Sequence, residues 1–138
     1  MKVAEALEEF FENQSCDPVV VAYLFGSEAR GRAHRESDVD VAVLLDRRLL
    51  SSTRERHNYR IELTSELIAL LHRNEIDVVV LNDAPPLLAR RIVTEGRRVF
   101  RRDPLAEHGL VRDVQLRAAD VAPFVARGRR RLLDRLVS

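Results

Sequence analysis

The sequence predicts a domain of the α/β (α+β) class, in which helices flank a β-sheet. Helical and strand-like hydrophobic patterns alternate along most of the chain, and one strand-like run is wholly apolar, as in strands covered on both faces. A chain of 138 residues with 46% hydrophobic residues fits one domain, residues 1–138. We expect a core of about residues 1–102 and a C-terminal helical segment of about residues 103–138.

The first elements are a helix and two strands. Hydrophobic residues recur at helical spacing in residues 3–13, which predicts an amphipathic helix. Val19 to Phe25 is a continuous apolar run rich in β-branched residues, so we expect a strand that is buried on both faces. Residues 38–45 form the next predicted strand.

A second helix follows. Ser52 and Glu55 form a capping box at its start, and it should run to about Arg73, with Asn74 as its C-terminal cap. Its predicted buried stripe comprises Leu63, Leu67, Leu70 and Leu71.

The next segment of the sequence is predicted to form a strand, a short helix and an edge strand. Ile76 to Leu81 is the third strand, and Pro85-Pro86 after Asp83 starts a helix that Gly96 closes. Arg97 to Arg102 is then a short edge strand.

The C-terminal region is predicted to be helical from Asp103-Pro104 onwards. Residues that disfavour helices predict interruptions near Gly109, at Pro123 and at Gly128.

Composition excludes several classes of protein. No stretch approaches the roughly 20 apolar residues of a membrane span, and the acidic N-terminal segment is unlike a signal peptide, so we expect a cytoplasmic protein with no membrane partner. The single cysteine, Cys16, excludes an internal disulfide, and the four histidines have no zinc-binding spacing.

Arginine dominates the basic residues. Lys2 is the only lysine among the 23 basic residues, which leaves 22 arginines in a chain of net charge +1. Clustered guanidinium groups could bind carboxylates or phosphates, or simply form solvated helical faces. The clusters are Arg90, Arg91, Arg97, Arg98, Arg101 and Arg102, and then Arg127, Arg129, Arg130, Arg131 and Arg135.

Two aspartates at the start of an apolar strand need an explanation, because burying an unpaired carboxylate costs several kcal/mol. Asp38 and Asp40 are two apart and therefore project to the same face, and Asp77 begins the next strand. If these strands are neighbours, three carboxylates converge and a hard divalent cation, Mg²⁺ or Mn²⁺, would offset their repulsion. The alternative is that Asp38 merely begins a strand and that Asp77 faces solvent on an edge strand. This alternative leaves Asp40, within the apolar run, unexplained.

Gly26-Ser27 predicts a tight turn at the end of the first strand. Such a turn before a helix N-terminus presents backbone N–H groups that attract phosphate, and glycine permits close approach of the ligand. Alone the dipeptide is a weak signal, but here it accompanies a predicted metal site on the next strand.

The combined motif resembles that of the DNA polymerase β-like nucleotidyltransferases. Gly26-Ser27 is followed, after ten residues, by Asp38-Val39-Asp40, with Asp77 on a later strand. The short form of the motif is similar to that of minimal nucleotidyltransferases (MNT), the antitoxins paired with HEPN toxins. The resemblance implies a mixed β-sheet of the polymerase β palm type.

The resemblance also implies roles for individual residues. Asp38 and Asp40 would hold two metal ions, and Asp77 would hold the one beside the incoming hydroxyl. Arg30 would neutralise phosphate charge or brace a neighbouring carboxylate, and Ser37 would orient the loop of Asp38. The implied nucleotide-binding residues are Gly26, Ser27, Arg30 and Ser37.

The implied activity is transfer of AMP from ATP to a tyrosine hydroxyl of a cognate HEPN RNase toxin, with release of pyrophosphate. The partner would be the toxin, in a hetero-oligomer, with no direct binding of nucleic acid. Two alternatives stay open: an antitoxin that acts by binding alone, and a small-molecule nucleotidyltransferase of the aminoglycoside type. The aspartate trio disfavours the first, and the absence of an obvious acceptor domain disfavours the second.

Overall fold

Four helices and four strands make up the structure, a computed structural model that describes residues 2–13, 18–26, 39–73 and 75–137. In chain order the elements are α1 (Val3–Glu12), β1 (Val19–Phe25), β2 (Val39–Leu45), α2 (Thr53–Leu71), β3 (Ile76–Val80), α3 (Pro86–Glu95), β4 (Arg97–Arg101) and α4 (Pro104–Val137).

The strands form one mixed sheet in the order β3-β2-β1-β4. Strand β1 is antiparallel to both β2 and β4, whereas β2 and β3 are parallel and α2 connects them. The predicted α+β class with a mixed sheet is confirmed, as is the edge position of β4.

Helices cover both faces of the sheet. Helices α1 and α2 pack on one face, and α3 and α4 pack on the other, so each face has its own apolar core. Strand β1 lies between these cores and is buried along six of its seven residues. Its wholly apolar sequence follows from this position, as predicted.

Helix α2 begins as predicted but ends differently. The Ser52 hydroxyl accepts a hydrogen bond from the Glu55 amide at 3.1 Å, which is the bond expected of a capping box. Its C-terminal cap is His72, which adopts the left-handed conformation with φ of 53° and donates its N–H to Ile68. Asn74, the predicted cap, lies outside the described residues.

The buried stripe of α2 is shorter than predicted. Leu63 and Leu67 are buried, whereas Leu70 is 39% exposed, so its assignment to the core was wrong. The last turn of α2 lies where the chain turns into β3, and there Leu71 still packs against the core.

Helix α4 is continuous, and the predicted interruptions near Gly109, Pro123 and Gly128 were wrong. Each glycine costs a helix only about 1 kcal/mol, and burial of Val114 and Ala118 stabilises the first half of α4. The helix therefore tolerates the two glycines, and it also continues through Pro123, where the proline removes one backbone hydrogen-bond donor. Among the described residues, no helix is both long and apolar enough for a membrane span.

A partly buried carboxylate anchors the start of α4 to the sheet. Glu107 accepts hydrogen bonds from the Tyr23 hydroxyl at 2.7 Å and from Arg98 at 2.8 Å, and Arg101 lies 3.3 Å away. Burial raises the pKa of Glu107, but the hydrogen bond from Tyr23 and the charge of Arg98 outweigh it, so the net shift is downward. Glu107 thus stays ionised and ties α4 to β1 and β4.

A second polar link joins α2 to the loop after β3. The Arg56 guanidinium is 9% exposed and donates to both carboxylate oxygens of Asp83, with both N–O distances at 2.9 Å. It also donates to the Leu50 carbonyl at 3.1 Å. The hydrogen bond from Arg56 lowers the pKa of Asp83 from its ordinary value of 3.8.

Replacing Asp83 with alanine should destabilise the fold by about 2 kcal/mol, because it leaves a buried guanidinium without its carboxylate. A chemical denaturation curve at pH 7 measures this loss. Since the pKa of Asp83 is lowered in the folded state, its stabilisation is complete above its unfolded value of 3.8 and disappears as pH falls through the lower folded value. The difference from wild type should therefore shrink in acid.

Asp113→Ala is the matched control for this comparison. Asp113 also pairs with an arginine, Arg117, at 2.9 Å, but both side chains are about half exposed. We expect a change within about 0.5 kcal/mol. Equal destabilisation by the two variants, or a loss for Asp83→Ala that does not change with pH, would contradict the role given to the Arg56 pair.

Candidate active site

Gly26 lies directly against the carboxylate of Asp40. Phe25, the last residue of β1, is opposite Asp40 in the antiparallel register, so the chain turns at Gly26 beside that side chain. Gly26 has φ of +76°, and a Cβ atom at this position would overlap Asp40 Oδ2. Both the backbone conformation and the lack of space therefore require glycine.

Asp40 and Asp77 face each other across the parallel pairing of β2 and β3. Residues paired in register project to the same face of a sheet, on strands about 4.8 Å apart. Asp40 is half-buried, and Asp77 is exposed on the edge strand. The structure thus brings together two of the three predicted carboxylates, including the one within the apolar run.

The remaining predicted site residues cannot be placed. Ser27, Arg30, Ser37 and Asp38 lie outside the described residues. In the described part of the chain, no group of three or more histidine, cysteine, aspartate or glutamate side chains is arranged to hold a metal ion.

The donors that are described fit a hard divalent cation. Two carboxylates side by side supply the oxygen ligands that Mg²⁺ and Mn²⁺ prefer. The Asp40 carboxylate occupies the space that a side chain at position 26 would need, so glycine lets this carboxylate lie against the turn after β1.

A cleft of about 240 Å³ opens beside Gly26 and Asp40, with α3 as its opposite wall. Arg91 and Glu95 of α3 line it, and the Arg91 Nε atom lies 3.2 Å from Glu95 Oε2. Sequence reasoning missed this wall. Arg91 stood out only as a member of an arginine cluster, and no motif linked α3 to the aspartates. The apolar lining residues are Phe25, Leu88 and Ile92.

Asp77 opens instead onto a separate cleft of about 270 Å³ along the β3 edge. His57 and Arg60 of α2 line this cleft, and Arg60 donates to the Val78 carbonyl at 3.4 Å. The acidic pair therefore stands between two clefts, one on the β1 side of Asp40 and one on the β3 side.

A larger cavity, of about 520 Å³, lies at the opposite end of β2. Asp46 and Arg48 are among its lining residues, and none of the predicted site residues that the structure describes belongs to it. Hydrogen bonds from the side chain and the backbone of Arg48 lower the pKa of Asp46.

Known proteins resemble the chain in sequence and in fold. The curated protein adenylyltransferase MntA of Shewanella oneidensis is 36% identical over 78 residues, which is 56% of this chain and 51% of that relative. The match therefore spans about half the length of the curated relative.

Two solved structures share the fold over almost the whole chain. One is a toxin–antitoxin with AMP-PNP, with a TM-score of 0.69 and 21% identity, covering 99% of each chain. The other contains a tri-AMPylated Shewanella oneidensis HEPN toxin in complex with an MNT antitoxin, with a TM-score of 0.63 and 19% identity, covering 99% of this chain and 100% of the other. Such identities show a common fold.

The sequence profile described as "Polymerase beta, Nucleotidyltransferase" matches residues 5–105. This match includes β1, β2 and β3 and therefore the positions of Gly26, Asp40 and Asp77. It covers well over half of the chain, and it agrees with the mixed sheet and with the motif found in the sequence. The chain belongs to the polymerase beta nucleotidyltransferase family.

Proposed function

We propose that the chain is a metal-dependent protein adenylyltransferase that acts as an antitoxin. It transfers AMP from ATP to a tyrosine hydroxyl of a cognate HEPN toxin and releases pyrophosphate. The observation that carries this proposal is the placement of Asp40 opposite Asp77, with Gly26 against Asp40. The name of the curated MntA relative and the AMPylated toxin bound to a structurally similar antitoxin support it.

The proposed step exchanges one phosphate linkage for another. The tyrosine oxygen forms a bond to the α-phosphorus of ATP, and the bond from that phosphorus to the oxygen bridging the β-phosphate breaks. Pyrophosphate leaves with the bonding electrons, and the hydroxyl proton passes to Asp77 or to water. A bound Mg²⁺ or Mn²⁺ would supply positive charge beside the entering and leaving oxygens.

The site residues would divide this work between metal and phosphate. Asp38 and Asp40 would hold the metal ions, and Asp77, on the outer strand β3, would hold the one beside the incoming hydroxyl. Gly26 and Ser27 bind the β- or γ-phosphate through the backbone and the serine hydroxyl. Arg30 neutralises phosphate charge and Ser37 orients the loop of Asp38.

The toxin is proposed to dock on the C-terminal half of α4. Val114 and Ala118 in the first half of α4 are buried, whereas Phe124 is 67% exposed and lies 4.7 Å from the Arg127 guanidinium. An exposed apolar side chain beside arginine suits a partner with apolar and acidic groups. Because ATP is the substrate, we place the reaction in the cytoplasm.

The first test is binding of ATP. Wild-type protein should bind ATP in the presence of Mg²⁺, and the double variant Asp38→Ala/Asp40→Ala should bind at least about tenfold more weakly, because its carboxylates no longer hold the cation. Isothermal titration calorimetry measures both affinities. Asp113→Ala, which removes an exposed carboxylate of α4, is the control and should match wild type. Equal ATP affinity of all three proteins would contradict the assignment of Asp38 and Asp40 to the ATP-binding site.

The second test distinguishes transfer from hydrolysis. Incubation of the chain with α-labelled ATP, Mg²⁺ and the protein encoded next to it should label that neighbour on tyrosine, since the site is proposed to await a presented hydroxyl. Mass spectrometry should find added AMP. Label that appears only as free AMP would exclude transfer, and neutralisation of the toxin without any label would favour an antitoxin that acts by binding alone.

The third test separates docking from folding. A chain truncated after Pro123 keeps Val114 and Ala118, so it should stay folded and bind ATP while it loses the toxin. Circular dichroism, ATP titration and co-purification with the toxin measure these three properties. Unfolding of the truncated chain would assign the C-terminal half of α4 to the core, and retained toxin binding would place the docking surface elsewhere.

A further inference from the structure

Helix α3 supplies a cation to the cleft beside Gly26 and Asp40. We propose, building on the adenylyltransferase function, that Arg91 binds the β- and γ-phosphates of ATP and the pyrophosphate that leaves. Glu95 is its positioning residue, which holds the guanidinium from one helical turn away. The sequence motifs contain neither residue.

The position of the cleft assigns Arg91 to the phosphate side of the site. In the order β3-β2-β1, Asp40 on β2 stands between Asp77 on β3 and Gly26 at the end of β1. Arg91 lines the cleft that Gly26 and Asp40 share, whereas Asp77 opens onto the other cleft. If the hydroxyl arrives beside Asp77, the leaving group lies on the Gly26 side, which is the side of Arg91.

A cation in this cleft is complementary to a bound triphosphate. Asp40 and Glu95 bring two carboxylates to it, and Arg91 is the only cationic side chain among its described lining residues. A triphosphate adds further negative charge, and an arginine offers a planar set of donors that can bind two phosphate oxygens at once. With its side chain 67% exposed, Arg91 is accessible to a ligand in the cleft.

The pairing of Arg91 with Glu95 has the order of charges that stabilises a helix less. An ion pair at this spacing stabilises a helix better when the acidic residue comes first, and here the arginine precedes it. Glu95 is also the last residue of α3, where the helix dipole disfavours a negative charge. The pair therefore contributes little to the helix, and its position lets Glu95 hold the arginine in the cleft that Gly26 and Asp40 line.

Binding titrations with three ligands test this role: ATP and pyrophosphate, which carry the phosphates that Arg91 is proposed to bind, and AMP, which lacks them. In the presence of Mg²⁺, Arg91→Ala should weaken binding of ATP and of inorganic pyrophosphate by about 10- to 100-fold, because charge-assisted hydrogen bonds are lost. Its affinity for AMP should stay within about twofold of wild type. Arg91→Lys should restore part of the loss, and Glu95→Gln should weaken pyrophosphate binding less than Arg91→Ala does.

Arg90→Ala is the matched control, because Arg90 is the neighbouring exposed arginine of α3 and does not line the cleft. It should bind all three ligands as wild type does, and thermal melting of each variant verifies the fold. If Arg91→Ala unfolds, Arg91→Gln takes its place, because it keeps the unbranched Cβ–Cγ–Cδ stem and removes the charge. ATP and pyrophosphate affinities like those of Arg90→Ala overturn the inference, as does an equal loss for AMP.

The two proposals fail in distinguishable ways. If the wild-type protein binds ATP and labels the toxin, and Arg91→Ala has the same ATP and pyrophosphate affinities as wild type, only the role of Arg91 is contradicted. If the wild-type protein binds neither ATP nor pyrophosphate, both the adenylyltransferase proposal and the role of Arg91 are contradicted.

Discussion

The parallel register between β2 and β3 is the constraint on which the candidate site depends. A slip of one residue would move Asp40 away from Asp77 and send alternate side chains to the wrong face. The face of the sheet that α1 and α2 cover fixes this register, because paired residues of β2 and β3 pack together in the core on that face. These pairs are Val39 with Ile76, Val41 with Val78, and Val43 with Val80. Packing on one face thus decides where the carboxylates lie on the other.

Polar contacts at the far end of the sheet reinforce the same register. The Asn82 side chain accepts a hydrogen bond from the Leu45 N–H at 2.9 Å and donates one to the Leu45 carbonyl at 3.0 Å. It thereby continues the pairing of the two strands beyond β3. The Arg56–Asp83 pair then joins the following loop to α2. These contacts lie at the opposite end of β2 and β3 from Asp40 and Asp77, so they help to hold the register without taking part in the candidate site.

The sequence predicts those features that local physical chemistry determines. Strand β1 could be located because burial on both faces requires an unbroken apolar run, and Asp40 could be found because it violates that rule within β2. The cap of α2 and the continuity of α4 could not be predicted, because tertiary packing overrides weak local preferences there. Arg91 could not be predicted from the sequence for a different reason, because only the packing of α3 on the sheet brings it near Gly26.

The arginine clusters show how the fold gives similar residues different tasks. Arg98 and Arg101 lie within one sequence cluster with Arg91, but both contact Glu107 and help to anchor α4. Arg97 lies 3.7 Å from Glu8 on α1. These three arginines therefore have carboxylate partners on other elements of the chain, so they do not form a purely solvated face. The carboxylate partner of Arg91 lies on the same helix, as does that of Arg117, so these two ion pairs join no second element of the fold. Whether an arginine of this chain links two elements thus depends on where its paired carboxylate lies, and the sequence alone does not contain that information.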